Sequence, residues 1–166
     1  MLITVLSLIE IALLYILLRP TIHGAIYFRT STDAVDTMLR LSGAKPGEKI
    51  IDLGSGDGRI LIAFAKAGCE AHGYEINPLL VWLSRRAIRR AGLKGKAFVH
   101  WKSFWSADLR DFDTVVVYCM PQFLEELGEK LLSELKPGAR ILSNSYSFPN
   151  WNIEKKENHV RLYVKS

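Results

Sequence analysis

The residues whose types and spacing could do chemistry are gathered in IIDLGSGDGR, residues 50–59, and in Glu75 beyond it. Gly54, Gly56 and Gly58 alternate directly behind an apolar run. Glycine there permits positive φ and lets a ligand approach the backbone. A dinucleotide loop needs G-x-G-x-x-G, with a helix N-terminus to receive the pyrophosphate. Here Arg59 stands where the third glycine belongs, and no Gly-Lys-Ser/Thr follows, so neither that loop nor a Walker loop is present. Asp52 before the turn and Asp57 within it repel a pyrophosphate and favour a cation. Glu75 ends the next strand-like stretch, where a carboxylate accepts hydrogen bonds from the ribose hydroxyls of an adenosine. An adenosine that carries a positive centre and an amino acid, and no phosphate, is S-adenosylmethionine. An acidic surface turn with an accidental carboxylate at Glu75 is the plainer alternative.

These residues need elements to hold them. From residue 45 onward strands and helices alternate: KIIDL, EAHGYE, KAFVHW, FDTVVVYCM and ARILSNSY read as strands, while RILIAFAKAG, PLLVWLSRRAIRRAG and QFLEELGEKLLSEL read as helices. Pro78 opens one helix and Gly92 ends it. Such alternation predicts an α/β fold: a doubly wound, mostly parallel Rossmann-like sheet. NIEKKE and HVRLYVKS read as two final strands with too short a break for a helical crossover, so at least one runs antiparallel. In such sheets the ligand lies beyond the carboxyl ends of the strands, where the strand order reverses. Ahead of the sheet, AVDTMLRLSGA predicts an amphipathic helix with Ala34, Val35, Met38 and Leu41 on one side.

The chain has 166 residues, 49% of them apolar, enough for one buried domain. Cys69 and Cys119 lack the short-range Cys/His pairing of a zinc site and are expected as buried thiols. The net charge of +5 permits an anionic partner without requiring one. Much of the excess lies in Arg85, Arg86, Arg89 and Arg90, expected on the outer face of a helix that turns Leu80, Leu83, Ala87, Ile88 and Ala91 inward. A solvated face is the ordinary reading; anionic lipid or RNA is the other. His23, His72, His100 and His159 are scattered, and none is assigned a catalytic role.

Residues 2–18 form an apolar segment broken only by Thr4, Ser7 and Glu10. As a helix it would reach about 25 Å, the short end for crossing a bilayer. No Lys or Arg precedes it and no small-x-small site follows, which argues against a cleaved signal. Arg19 and Arg29 place the remainder in the cytoplasm by the positive-inside rule. A membrane anchor is the expectation; an interfacial helix and a core helix are the alternatives. The predicted layout is a hydrophobic helix over 1–19, a linker and helix over 20–44, and a cofactor-binding domain over 45–166.

The motifs IIDLGSGDGR, GYEINP and LKPGARIL, followed by a closing antiparallel pair, resemble the class I, seven-strand S-adenosylmethionine-dependent methyltransferases. Within that class DLGSGDGRI, GYEINPLLVWLSR, VVVYCMPQFLEELGEKLLSELKPGARILS and SFPNW are similar to the small protein-lysine methyltransferases. These are the archaeal broad-specificity type and the mitochondrial type that acts on the c-ring protein of the ATP synthase and the adenine nucleotide translocase. The resemblance implies S-adenosyl-L-methionine as cofactor, with Asp52, Gly54, Ser55, Gly56, Glu75 and Ile76 around it. It also implies Ser103 and Phe104 near the adenine, although relatives have Asn or Asp at the first of these. Tyr27 and Thr30 match a stretch that folds over the cofactor, with Ile26 and Arg29 replacing its prolines.

The expected substrate is a lysine side chain of a protein at or in a membrane. YCMPQ, residues 118–122, lacks the Asn/Asp-Pro-Pro-aromatic motif that holds a planar amine, which argues for an aliphatic one. Tyr118, Tyr146 and Trp151 could wall a lysine channel, because aromatic faces suit an ammonium. Methylation of RNA or of a metabolite, and a non-catalytic binding module, stay open as alternatives.

Overall fold

A computed structural model describes residues 29–166 and, of the segment before them, Ser7 alone. Tyr27 and, Ser7 apart, the apolar residues 2–18, with the anchor expected there, lie outside the described residues. Among the described residues no helix is long and apolar enough to cross a membrane.

Among the described residues seven strands form one mixed sheet: β1 (Lys49–Leu53), β2 (Glu70–Glu75), β3 (Ala97–Trp101), β4 (Thr114–Val117), β5 (Arg140–Asn144), β6 (Lys155–Glu157) and β7 (Val160–Val164). Their order is β3-β2-β1-β4-β5-β7-β6. The first five are parallel. β7 then runs antiparallel between β5 and β6, as the short final break demands. Asn158 turns the β6–β7 hairpin with a φ of 52°, a left-handed conformation that Asn tolerates.

Alternation along the strands divides the core. Ile50, Val116, Leu142 and Leu162 face the layer of α1 (Thr32–Ser42), α2 (Arg59–Lys66) and α3 (Pro78–Arg90), where Val35, Met38, Phe64, Val81 and Ile88 pack. Ile51, Val115, Val117, Ile141 and Tyr163 face α4 (Leu124–Glu134), with Leu127 and Leu131. Being covered on both faces makes the central strands continuously apolar rather than alternating. The capping residues set the helix starts. Ser31 accepts from Ala34 N at α1, and Asn77 accepts from Leu79 N and Leu80 N at α3, where Pro78 takes the first turn. Cys69 and Cys119 are buried thiols.

Two details differ from the sequence expectation. α3 buries Leu80, Val81, Ser84 and Ile88, so Leu83 and Ala91 are exposed instead of inward. The helix is rotated because Ser84 is small enough to sit against the loop: a Cβ on Gly58 would come within 2.1 Å of Ser84 Oγ. β4 also stops at Val117, short of the FDTVVVYCM stretch, because the chain leaves the sheet at Tyr118 to form the rim of a cavity.

Candidate functional site

The order of the strands reverses between β1 and β4, and a cavity opens there at their carboxyl ends. Asp52 and the turn after β1 form its floor. Glu75 ends β2 and Asn77 caps α3, Val116 and Val117 end β4 with Tyr118 just beyond, and Arg29 and Thr30 precede α1. The turn is built by positive φ at Gly54 (97°), Gly56 (52°) and Gly58 (80°). Gly54 N and Ser55 N both donate to Tyr74 O at 3.0 Å, which ties the turn to β2. β2 gives way at Gly73, where an added Cβ would meet the Ser55 side chain at 2.5 Å.

Glu75 is held by the turn it serves. One carboxylate oxygen accepts from Gly56 N at 2.9 Å, the other from Asn77 N at 2.8 Å. A carboxylate has about four lone-pair sites. With the backbone N–H groups of Gly56, Asn77 and Ile76 against it, the carboxylate keeps acceptor capacity for a ribose hydroxyl. Burial raises the Glu75 pKa, opposed by the backbone N–H groups of Asn77, Gly56 and Ile76. Asp52 is 3% exposed, and burial, then the charges of Glu75 and Asp57, push its pKa up to about 8. A carboxyl so placed gains most from a cation brought against it. Both carboxylates thus fit the donor hydroxyls and positive centre of S-adenosylmethionine.

Asp57 has a different part. Arg59 grips it with Nε at 2.9 Å and Nη2 at 2.5 Å, and Arg29 Nε lies 4.0 Å away. The other guanidinium nitrogen of Arg59 donates to Thr30 O at 2.6 Å. Arg59, absent from the sequence expectation as a site residue, therefore ties the segment entering α1 to the loop after β1.

The cavity brings together Thr30, Asp52, Gly54, Ser55, Gly56, Glu75 and Tyr118 of the expected site residues. Others lie around it. Ile76 O accepts from Trp101 Nε1 at 3.1 Å. Ser103 Oγ accepts from Trp105 N at 3.4 Å, capping a short 3-10 turn in which Phe104 is buried in the α4-side core. Tyr146 lies 5.9 Å from Tyr118 between ring centroids. Burial, then the Tyr146 phenol, raises the Tyr118 pKa. Trp151 stacks on Phe148 at 4.6 Å and meets Tyr163 edge-on.

A second cavity adjoins the first through Arg29, Thr30 and Tyr118, which line both. Its other walls include Thr37, Asn144, Ser145 and His159. Ser145 adopts a φ of 70° while its N–H donates to His159 O at 2.7 Å, so the end of β5 and the β6–β7 hairpin shape this opening. Nothing in the local sequence flagged Asn144, Ser145 and His159 as neighbours.

Comparison with known proteins follows the same outline. The family described as the ANTKMT methyltransferase domain matches residues 52–155. The chain is 41% identical to the mouse lysine N-methyltransferase named for the C protein of the ATP synthase, over 70% of this chain and 47% of that protein. It is 32% identical to a protein-lysine N-methyltransferase of Saccharolobus islandicus, over 76% of this chain and 80% of that one. The chain thus spans about half the length of the mouse protein. Among solved structures, an RNA methyltransferase from Salinibacter ruber in complex with S-adenosyl-L-homocysteine superposes with a TM-score of 0.78. It is 28% identical, and the match covers 83% of this chain and 92% of that one.

Proposed function

Because the chain belongs to the ANTKMT methyltransferase-domain family, whose matched span runs from Asp52 past Trp151, we propose that it is an S-adenosylmethionine-dependent protein-lysine N-methyltransferase. One observation carries this reading. The span matched by the family, residues 52–155, includes the floor of the cavity, Glu75 and the Tyr118 rim, and the chain covers 80% of a relative named a protein-lysine N-methyltransferase at 32% identity. The proposed substrate is a lysine of a membrane or membrane-proximal protein, a choice supported by the name of the mouse relative and by the apolar residues 2–18. In the same proposal those residues attach the chain to a membrane, with the domain on the cytoplasmic side.

When bound, the cofactor supplies a methyl group on a positively charged sulfur, open to in-line displacement by an amine. Glu75 would accept hydrogen bonds from the ribose hydroxyls, the turn at Gly54–Gly56 would hold the amino-acid end and Asp52 would offset the positive charge, so positioning would supply much of the rate. The attacking lysine must first lose a proton to bulk water from a group of pKa about 10.4, and desolvation at the rim lowers that value. The Tyr118 hydroxyl accepts a hydrogen bond from the neutral amine and directs its lone pair inward. Tyr146 holds the Tyr118 ring, and the opening lined by Asn144, Ser145 and His159 gives the lysine stem its approach.

Incubating the chain with methyl-labelled cofactor and host membranes, then mapping the mark by mass spectrometry, tests the proposal. Label on a lysine of a membrane protein is expected. The likeness to the Salinibacter ruber enzyme and the arginines of α3 favour RNA as the second reading. Label found only in RNA or in a small molecule overturns the first.

A further inference from the structure

Among the described residues an unusual surface lies on the far side of α3 from the cofactor cavity. Residues 76–102 contain no Asp or Glu, yet carry Arg85, Arg86, Arg89 and Arg90 in α3 and Lys94, Lys96 and Lys102 after it. These seven cations exceed the net charge of +5 of the whole chain. Among them stand large apolar side chains that a solvated helix would not carry. Leu79 is 61% exposed, Trp82 51% and Trp101 58%, with Leu83 beside them.

The geometry places these groups together. Leu79, Trp82, Leu83 and Arg86 follow the i, i+3, i+4, i+7 spacing of one helical stripe. Arg85 Nη2 donates to Val99 O at 2.9 Å, which fixes the Trp82–Arg85–Arg89 side of α3 along the edge strand β3. At the end of that strand, Trp101 Nε1 donates to Ile76 O at 3.1 Å and so lies at the start of α3. Arg86 is stacked on Trp82, 5.5 Å from the ring centroid. Indoles with polar edges, two leucines and arginines that lie along aromatic faces make up the side-chain set of a bilayer interface. A nucleic-acid surface would use the arginines and the indoles; it gives the exposed leucines nothing to enter.

We propose that the face formed by α3 and the edge strand β3 docks on an anionic phospholipid bilayer, with Leu79, Trp82, Leu83 and Trp101 entering the headgroup region and the arginines meeting lipid phosphates. The apolar residues 2–18, ahead of the domain in the sequence, would bring this face to the membrane repeatedly at high local concentration. Leu80 and Asn77, on the inner side of the same first turn, line the cofactor cavity. Docking therefore sets the cavity within about one helix diameter, 10–12 Å, of the lipid. The biological purpose rests on the proposed membrane-protein substrate, but the docking itself does not.

The test reads lipid contact and not methylation, so the two proposals fail separately. The full chain carrying Leu83→Cys is labelled with a nitroxide; both native thiols are buried. A label at Glu129→Cys, exposed on α4 across the sheet, is the control. Vesicles of phosphatidylcholine are compared with vesicles that also contain phosphatidylglycerol. The ratio of oxygen to nickel-complex accessibility should rise several-fold at residue 83, only with phosphatidylglycerol and not at residue 129. Combined Arg86→Glu, Arg89→Glu and Arg90→Glu should abolish the rise. No rise, or an equal rise in neutral vesicles, overturns the proposal. So does a label already shielded before vesicles are added, which would mean that protein covers the face. Salt-sensitive RNA binding that the arginine variant loses, without lipid depth at residue 83, overturns it in favour of nucleic acid.

Discussion

Replacing Asp52 with asparagine should make the protein more stable and worse at its task. Asp52 is buried beneath the turn after β1, and its pKa is pushed up to about 8 from an ordinary value of 3.8. Between those values the folded state keeps a proton that the unfolded state releases. The folded carboxyl is thus raised above its unfolded value, and its stability contribution is lost as pH climbs from about 4 to 8. At pH 7 the span is about three pKa units, so at about 1.4 kcal/mol per unit the ceiling on the cost is about 4 kcal/mol. The asparagine amide must itself be satisfied in the buried site, which offsets part of this. A net gain of about 1–3 kcal/mol near neutral pH is expected.

The informative quantity is the slope. Urea unfolding of the two proteins in mild detergent should give similar stabilities near pH 4.5 and a gap that widens steadily toward pH 8. S-adenosylmethionine titrated by calorimetry should show the opposite trend. A cation against Asp52 would lower its pKa and release its proton to water, so the wild-type affinity strengthens as pH rises toward 8, whereas Asp52→Asn loses this dependence and binds at least about tenfold more weakly, about 1.4 kcal/mol. A variant that is less stable at every pH, or a gap that does not change with pH, would refute the burial argument. Unchanged affinity would refute the role of Asp52 opposite a positive charge.

Two further substitutions separate binding from packing. Glu75→Gln should weaken S-adenosylmethionine and S-adenosylhomocysteine equally, by about 1.5–3 kcal/mol, because the ribose is common to both and hydrogen bonds to a charged acceptor are worth that much; calorimetry showing a loss for one ligand only would contradict the assignment. Gly58→Ala should cost about 2 kcal/mol or more in unfolding free energy, from a φ of 80° and a Cβ driven to 2.1 Å from Ser84 Oγ. Adding Ser84→Ala should recover the steric part and leave the dihedral part, and an unfolding midpoint that does not move with the second change counts against the close approach.

The parts of the site that were legible in the sequence are those in which one chemical requirement occupies neighbouring positions. The glycines of the turn, the strand periods of KIIDL and EAHGYE and the caps at Asn77 and Pro78 are local, so residue type alone places Asp52 and Glu75 at the ends of adjacent strands. What escaped depends on topology. Arg59 reaches Thr30 O, twenty-nine positions earlier in the chain, only because α1 packs beside α2. Asn144, Ser145 and His159 meet only because β7 pairs antiparallel with β5. The rotation of α3 was hidden for a third reason. Hydrophobicity favoured Leu83 as the inward residue, but close approach to Gly58 selected the small Ser84, and steric fit is not written in a periodicity.

The packing of Asp57 changes what the loop can hold. Read as sequence, Asp52 and Asp57 stand together as charges that repel phosphate. In the fold Asp57 is matched by Arg59 and approached by Arg29, so its charge is largely spent within the chain. Its position matters more than its net charge: Oδ1 accepts from Arg59 N at 3.3 Å, at the first residue of α2. A helix N-terminus in this turn is where a dinucleotide fold seats its pyrophosphate. Here the chain's own carboxylate takes the anion's place, and the Arg59 guanidinium that could have bound a phosphate is turned onto that carboxylate and Thr30. Exclusion of phosphate is therefore built into Asp57 and Arg59 as a pair, while preference for a positive centre rests on Asp52 and recognition of the ribose on Glu75. The two functions are separable, so removing Asp57 and Arg59 together would open the helix terminus to anions while leaving both ligand-facing carboxylates in place.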